Sequence, residues 1–288
     1  MLRQSSSTVP GNIKQPLAWM FLSFVPASLL VGVTTYSMTK VATVPLLWLV
    51  PVSLFLQSLF LTLAVRSPRL TDGVTRRFAI PVTVVLFLTL TSMPLPAWYV
   101  LPLHMVAFAM TALMCHSHLS EMLPPSTDRV RFFFYVAVGA TLGVLFNATL
   151  APQIFNRLQE YPLMLAVAAL VPVFANARRI APRIPVHATI APLAIAALAL
   201  FVLSPSRSFV GSAPIIAAAM AIPVMMAFSQ SRRPRRFAAS LIAMVVVATA
   251  ISEHQPRVPR AARTFFGAPQ HSIEQHLREA VGRTSRGF

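Results

Sequence analysis

Long apolar runs recur along the chain, and short segments between them hold almost every charge. Eight stretches longer than 15 residues contain no Asp, Glu, Lys or Arg: 15–39, 41–65, 78–120, 132–156, 161–177, 184–206, 208–231 and 237–252. A helix rises about 1.5 Å per residue, so about 20 residues cross the hydrocarbon core of a bilayer. The 43-residue stretch 78–120 therefore holds two spans. Pro94, Pro96, Trp98 and Tyr99 mark the turn between them, since Trp and Tyr favour interfacial depth. The pattern predicts an all-α, polytopic transmembrane helical bundle of about nine spans, with eight as the alternative. The predicted cores are 17–33, 44–65, 79–92, 101–115, 132–150, 161–175, 188–203, 215–228 and 237–251. The third, sixth and ninth are short and fit by smaller tilt, by extension or by partial interfacial seating.

The charges between the runs orient the bundle. With the N-terminus in the cytoplasm, inside segments carry 15 basic residues and the loops outside carry 3, namely Lys40, Arg157 and Arg207. That asymmetry is the positive-inside pattern. It predicts a cytoplasmic tail over 1–16, a membrane domain over 17–252 and a basic tail over 253–288, the whole placed in a bacterial cytoplasmic (inner) membrane. The tail carries six Arg although nine spans put it outside; long tails escape the rule. Arg3 and Lys14 before an apolar stretch have the outline of a signal peptide. The stretch is long and many more follow, so it reads as an uncleaved first span. In the tail, Ser272 and Gln275 have capping-box spacing before Ile273, Leu277 and Val281, which predicts one short amphipathic helix.

Composition narrows the class. Charged residues make up 11% and hydrophobic residues 56%, against about 25% charged in a soluble domain. A water-soluble globule is excluded. The formal net charge of +17 lies between apolar runs, where loops facing anionic lipid collect Arg, and forms no basic stripe with exposed aromatics; nucleic acid is not the expected partner. A single cysteine, Cys115, allows no internal disulfide. Many of the 25 prolines fall inside spans, Pro26, Pro51, Pro81, Pro172 and Pro223 among them. They read as elements of bundle geometry.

Polar groups inside a membrane are costly and so are the first candidates for a site. No Asp, Glu, Lys or Arg lies in a span core, which argues against an ion-coupled carrier. Gln57, His104, Cys115, His116, His118, Asn147 and Glu160 are what the spans or their ends hold. Cys115 and His116 are adjacent and point about 100° apart on a helix, and no histidine pair has the i,i+4 spacing of a helical metal site. No metal and no cofactor are expected. His116 and His118 read as caps on a helix end, where a cation suits the dipole. Gly139 and Gly143 form a small-xxx-small face that lets another helix approach. Asn147, four residues on, shares that face and is placed to bond across it. The candidate ligand or packing positions are Thr34, Thr35 and Tyr36 after the first span, Trp48, His116, Gly139, Gly143, Asn147 and Glu160.

Four blocks carry a resemblance: FVPASLLVGVTTY at 24–36, VPLLWLVPVSLFL at 44–56, MCHSHL at 114–119 and FYVAVGATLGVLFNATLAPQIF followed by EYPL within 134–163. In this order they resemble the membrane domain of bacterial fused spermidine-synthase-like proteins, often called fused transporter/spermidine synthases. In that family a soluble aminopropyltransferase-like domain follows the membrane helices. RTFFGAPQ at 263–270 is similar to the junction before it, yet the chain has no G-x-G turn anywhere. The resemblance thus implies a non-catalytic membrane protein supporting polyamine-related metabolism, with the lipid bilayer and a separate synthase-like protein or another membrane subunit as partners. No catalytic residue carries over. Two alternatives stand beside it: a permease for a small organic solute such as a polyamine, and a truncated remnant without activity of its own.

Overall fold

A computed structural model describes residues 14–40, 46–91, 95–155, 158–175, 194–195, 197–198 and 213–253. Among these residues the protein is all-helical, with no strand. In chain order the helices are α1 (Lys14–Lys40), α2 (Leu49–Val65), α3 (Pro68–Arg77), α4 (Ala79–Thr91), α5 (Ala97–Glu121), α6 (Arg129–Leu145), α7 (Ala151–Ile154), α8 (Glu160–Ala168), α9 (Val171–Ala175), α10 (Ala213–Ser229) and α11 (Pro234–Glu253). Among the described residues, four helical stretches are long and apolar enough to cross a membrane: Gln15–Thr39, Pro68–Thr91, Ala97–Glu121 and Ser126–Ile154. Leu49–Val65, Glu160–Ala175 and Ala217–Ser229 are shorter apolar helices. Large apolar side chains such as Phe60, Phe134 and Met225 stay exposed on the outside of the bundle. Such surface suits acyl chains rather than water.

In eight of the nine sequence-derived span cores most of the described residues are helical, although the second begins only at Leu49. The seventh, 188–203, lies outside the described residues apart from four positions, and the tail beyond Glu253 lies outside them too. The local breaks have covalent causes. Pro152 has no N–H for the carbonyl four residues earlier, and the preceding turn, Phe146–Leu150, relaxes into a π-helix. Pro172 acts likewise: Ala169 and Leu170 tighten onto Ala166 and Val167, and α8 stops before α9 begins. Arg66 ends α2 with a left-handed φ of 41°.

Residues 66–77, expected as a basic loop, are largely helical. Pro68 sits at the first turn of α3, where its missing donor is harmless, and Arg76 and Arg77 occupy the last turn, where the helix dipole favours cations. Thr71 and Val74, three apart, form its buried side.

Helix directions follow from paired contacts. Trp19 meets Phe132 edge-on at 5.1 Å, and further along Asn147 bonds to Ser28, so α1 and α6 run parallel. Phe21 contacts Phe174 of α9, whereas Tyr36 reaches Tyr161 at the start of α8; α1 and the α8–α9 pair are antiparallel. The end of α3 touches the end of α5 through Thr75 and His118, and Phe78 meets Phe237 near the start of α11. The arginine-bearing segments 66–77, 129–131 and 232–236 consequently share one end of the bundle. Exposed Trp98 and Tyr99, stacked at the start of α5, lie toward the other.

Candidate functional site

The site is organised by one stripe of α1. Ser28, Gly32 and Tyr36 are four residues apart and so lie on one face. Gly32 and Ser28 are buried and Tyr36 is half-buried. Three polar side chains from other helices converge on this stripe.

The first is Asn147, in the π-helical turn. Its amide donates to the Ser28 carbonyl at 2.9 Å and also contacts Ser28 Oγ. A π turn adds one residue to the ladder and re-aims side chains, which lets Asn147 face α1 here. The second is Tyr161 of α8, 1% exposed. Its ring and Asn147 Oδ1 both approach Gly32, at 3.4 and 3.6 Å from where a β-carbon would stand. The third is His104 of α5, also 1% exposed. His104 Nδ1 lies 2.8 Å from Tyr161 Oη. The Tyr36 ring stacks on the imidazole, with centroids 4.5 Å apart and planes at 28°. Tyr36 and Tyr161 are 5.2 Å apart. Two tyrosine rings and an imidazole thus pack together between α1, α5 and α8. Glu160, buried, starts α8 beside it, where a helix N-terminus favours a carboxylate.

Two atoms of this cluster are buried without a hydrogen-bond partner among the described residues: His104 Nε2 and Asn147 Oδ1. In the tautomer whose Nδ1–H donates to Tyr161 Oη, His104 Nε2 is an acceptor, as Asn147 Oδ1 always is. Asn147 Oδ1 is thus an unmet acceptor, whereas His104 Nε2 is an acceptor in that tautomer and a donor in the one whose Nδ1 accepts from the Tyr161 hydroxyl; either is costly in an apolar interior.

The remaining candidates fall elsewhere. Gly139 and Gly143 lie at the close crossing of α6 with α1, against Met20, Ser23 and Phe24. Thr34 is buried and returns its hydroxyl hydrogen to the Leu30 carbonyl at 2.7 Å. Thr35 is half-buried, and Trp48 is the half-buried residue before α2. His116 belongs to a second polar group near the arginine-bearing end. It precedes the last turn of α5, whereas His118 lies in that turn, where the capping reading places it. Helix α5 ends on Met122, whose N–H bonds to Leu119 and Ser120. His116 Nδ1 instead meets Ser58 Oγ of α2 at 2.8 Å, with Phe55 edge-on to the ring, and His118 Nε2 meets Thr75 Oγ1 of α3 at 3.1 Å. Each ring thus has one nitrogen bonded to a hydroxyl of a neighbouring helix. Gln57 faces outward. Cys115 is fully buried, and no group of three or more His, Cys, Asp and Glu that could hold a metal occurs among the described residues.

Sequence reasoning noticed His104 as a polar residue within a span and gave it no role. Tyr161, Ser28 and Gly32 were missed. The usable signal was the four-residue spacing of Ser28, Gly32 and Tyr36 along α1. Comparison of the chain with protein-family models, curated proteins and solved structures returns no match.

Proposed function

We propose that the chain is a non-catalytic inner-membrane protein of nine spans, with a cytoplasmic N-terminus, that holds a small organic amine in the Tyr36–His104–Tyr161 cluster. In this reading it serves polyamine-related metabolism beside a separately encoded synthase-like protein, in keeping with the resemblance of its first 160 or so residues. The observation that carries the amine is the pairing of aromatic rings with the unmet acceptor Asn147 Oδ1, joined by His104 Nε2 in the tautomer whose Nδ1–H faces Tyr161. An alkylammonium group donates up to three hydrogen bonds and is attracted to tyrosine faces.

The cluster is closed, since His104 and Tyr161 are each 1% exposed. Entry therefore requires α5 or α8 to move away from α1. Pro102, inside α5 two residues before His104, removes one backbone hydrogen bond where such a movement would bend the helix. That movement also favours a second reading, a permease for the same amine.

Binding is measured on the purified protein with labelled spermidine and putrescine, alongside thermal unfolding. At a ligand concentration about a hundredfold above Kd, stabilisation of about 2.7 kcal/mol is expected. Tyr36→Ala should remove most of it. Absence of binding to the wild-type protein for either amine overturns the reading. Flux of the bound amine into proteoliposomes would select the permease.

Orientation has its own test. A reporter fused after Phe288 is expected to read out on the periplasmic side, because nine spans starting inside end outside. A cytoplasmic readout removes one span from the count.

A further inference from the structure

A second site lies at the arginine-bearing end of the bundle, away from the aromatic cluster. A cavity of about 590 Å³ opens where the ends of α3 and α8 meet the connection between α10 and α11. Its floor is apolar: Phe78 and Phe237 are buried, with ring centroids 6.3 Å apart, edge to face. Its rim is polar, with Thr75 and Arg76 from α3 and Ser231 and Arg232 from the connection. Both arginines are exposed. No Asp or Glu is among its described lining residues; exposed Asp72 sits one turn earlier on α3, outside the lining.

Two arginines and two hydroxyl residues, one of each from α3 and one of each from the α10–α11 connection, line the same cavity and supply a donor set for tetrahedral oxyanions. Guanidinium presents its N–H groups in a fork that matches phosphate oxygens. Thr75 Oγ1 lies 3.1 Å from His118 Nε2. A hydroxyl that accepts from that ring N–H keeps its own hydrogen for a ligand oxygen. The apolar floor makes the cavity amphipathic, as the junction of a phospholipid headgroup with its glycerol and first methylenes requires. Basic pockets between membrane helices are suited to such headgroups.

We infer that this cavity takes a phosphate oxyanion, held by Arg76 and Arg232. The chemistry is shared by an anionic phospholipid headgroup and by free phosphate, and two arms of one experiment separate them. In the first, wild-type protein is purified from nanodiscs of mixed phosphatidylglycerol and phosphatidylethanolamine, and retained lipid is counted by native mass spectrometry. In the second, lipid-depleted protein in neutral detergent is melted with and without inorganic phosphate.

The comparison protein is Arg76→Ala/Arg232→Ala. A second variant, Arg66→Ala/Arg129→Ala, removes the same charge from the same end outside the cavity. Selective retention of phosphatidylglycerol by wild type, reduced about tenfold or more in the cavity variant and not in the control, assigns the site to a lipid headgroup. Phosphate-dependent stabilisation lost in the cavity variant, without lipid selectivity, assigns it to free phosphate. Equal behaviour of wild type and cavity variant in both arms overturns the site. So does equal loss in the control, which would mean net charge alone is responsible.

Discussion

Gly139→Ala is expected to destabilise the protein by about 3 kcal/mol, the upper end of the range for forcing atoms into a packed interior. A β-carbon at Gly139 would fall on the Met20 carbonyl oxygen and Ser23 Oγ, with Met20 Cα only 2.7 Å away. Two of those three atoms belong to the backbone of α1, so no rotamer change relieves the clash. The helices must separate. Inside a bilayer there is no hydrophobic gain to hold them together, because lipid tails are as apolar as the side chains; close packing is the attraction. Separating α1 from α6 also stretches the Asn147–Ser28 bond and opens the Trp19–Phe132 contact. Gly143→Ala meets the Phe24 carbonyl oxygen and the Ser28 nitrogen, the latter at 3.0 Å, and should cost a comparable amount. Leucine at either position should leave no folded protein in the membrane fraction. Gly73, in α3, is the internal control: nothing lies within 4 Å of its β-position. Gly73→Ala should be neutral or stabilising by up to about 1 kcal/mol, through helix propensity alone. Thermal unfolding in detergent reads all three. Gly139→Ala melting with the wild type would show that α1 and α6 do not cross at these residues.

The α6 side of that crossing is legible in sequence, since Gly139, Gly143 and Asn147 repeat every four residues. The α1 side is fainter. Small and polar residues fall on several faces of α1, and only the four-residue spacing of Ser28, Gly32 and Tyr36 hints at which one another helix will choose. Charge-free runs likewise show where helices lie but not where they break. The π turn before Pro152 and the tightened turn before Pro172 arise from missing backbone donors whose local answer depends on neighbours. Segment 66–77 was read as a loop because four arginines marked it as leaving the membrane, and the helical start at Pro68 was overlooked. Among the site residues, Tyr36, Asn147 and Glu160 stand out because polar groups near the bilayer interior need a reason. Tyr161 escaped because a tyrosine at the end of a span resembles an interfacial anchor. Its burial comes from Gly32, a long-range contact invisible along the chain. The hydroxyl partners of His116 and His118 were hidden for the same reason, as they sit on α2 and α3.

Tyr161→Ala is expected to cost about 3–5 kcal/mol, the range for emptying a buried aromatic site. The ring lies against Gly32, Tyr36 and His104 at once, so its loss leaves a void at the meeting of three helices. It also strips His104 Nδ1 of its partner. Tyr161→Phe separates these effects. It keeps every ring contact and removes only the hydroxyl, so the cost falls to about 1–3 kcal/mol, that of an orphaned buried polar group. His104→Phe leaves the tyrosine hydroxyl unmet and should cost a similar amount. If the two groups bond as described, the double variant Tyr161→Phe/His104→Phe should be less destabilised than the sum of the single changes by about 0.5–3 kcal/mol, because replacing both partners removes the orphan. Additive losses would mean that Tyr161 and His104 do not pair. The same variants bear on amine binding. Tyr161→Phe retains both aromatic faces, so a ligand held chiefly by ring faces should survive it. A ligand held by the His104 acceptor should not, because without the tyrosine hydroxyl the imidazole is free to adopt the other tautomer and present a donor where the ammonium needs an acceptor.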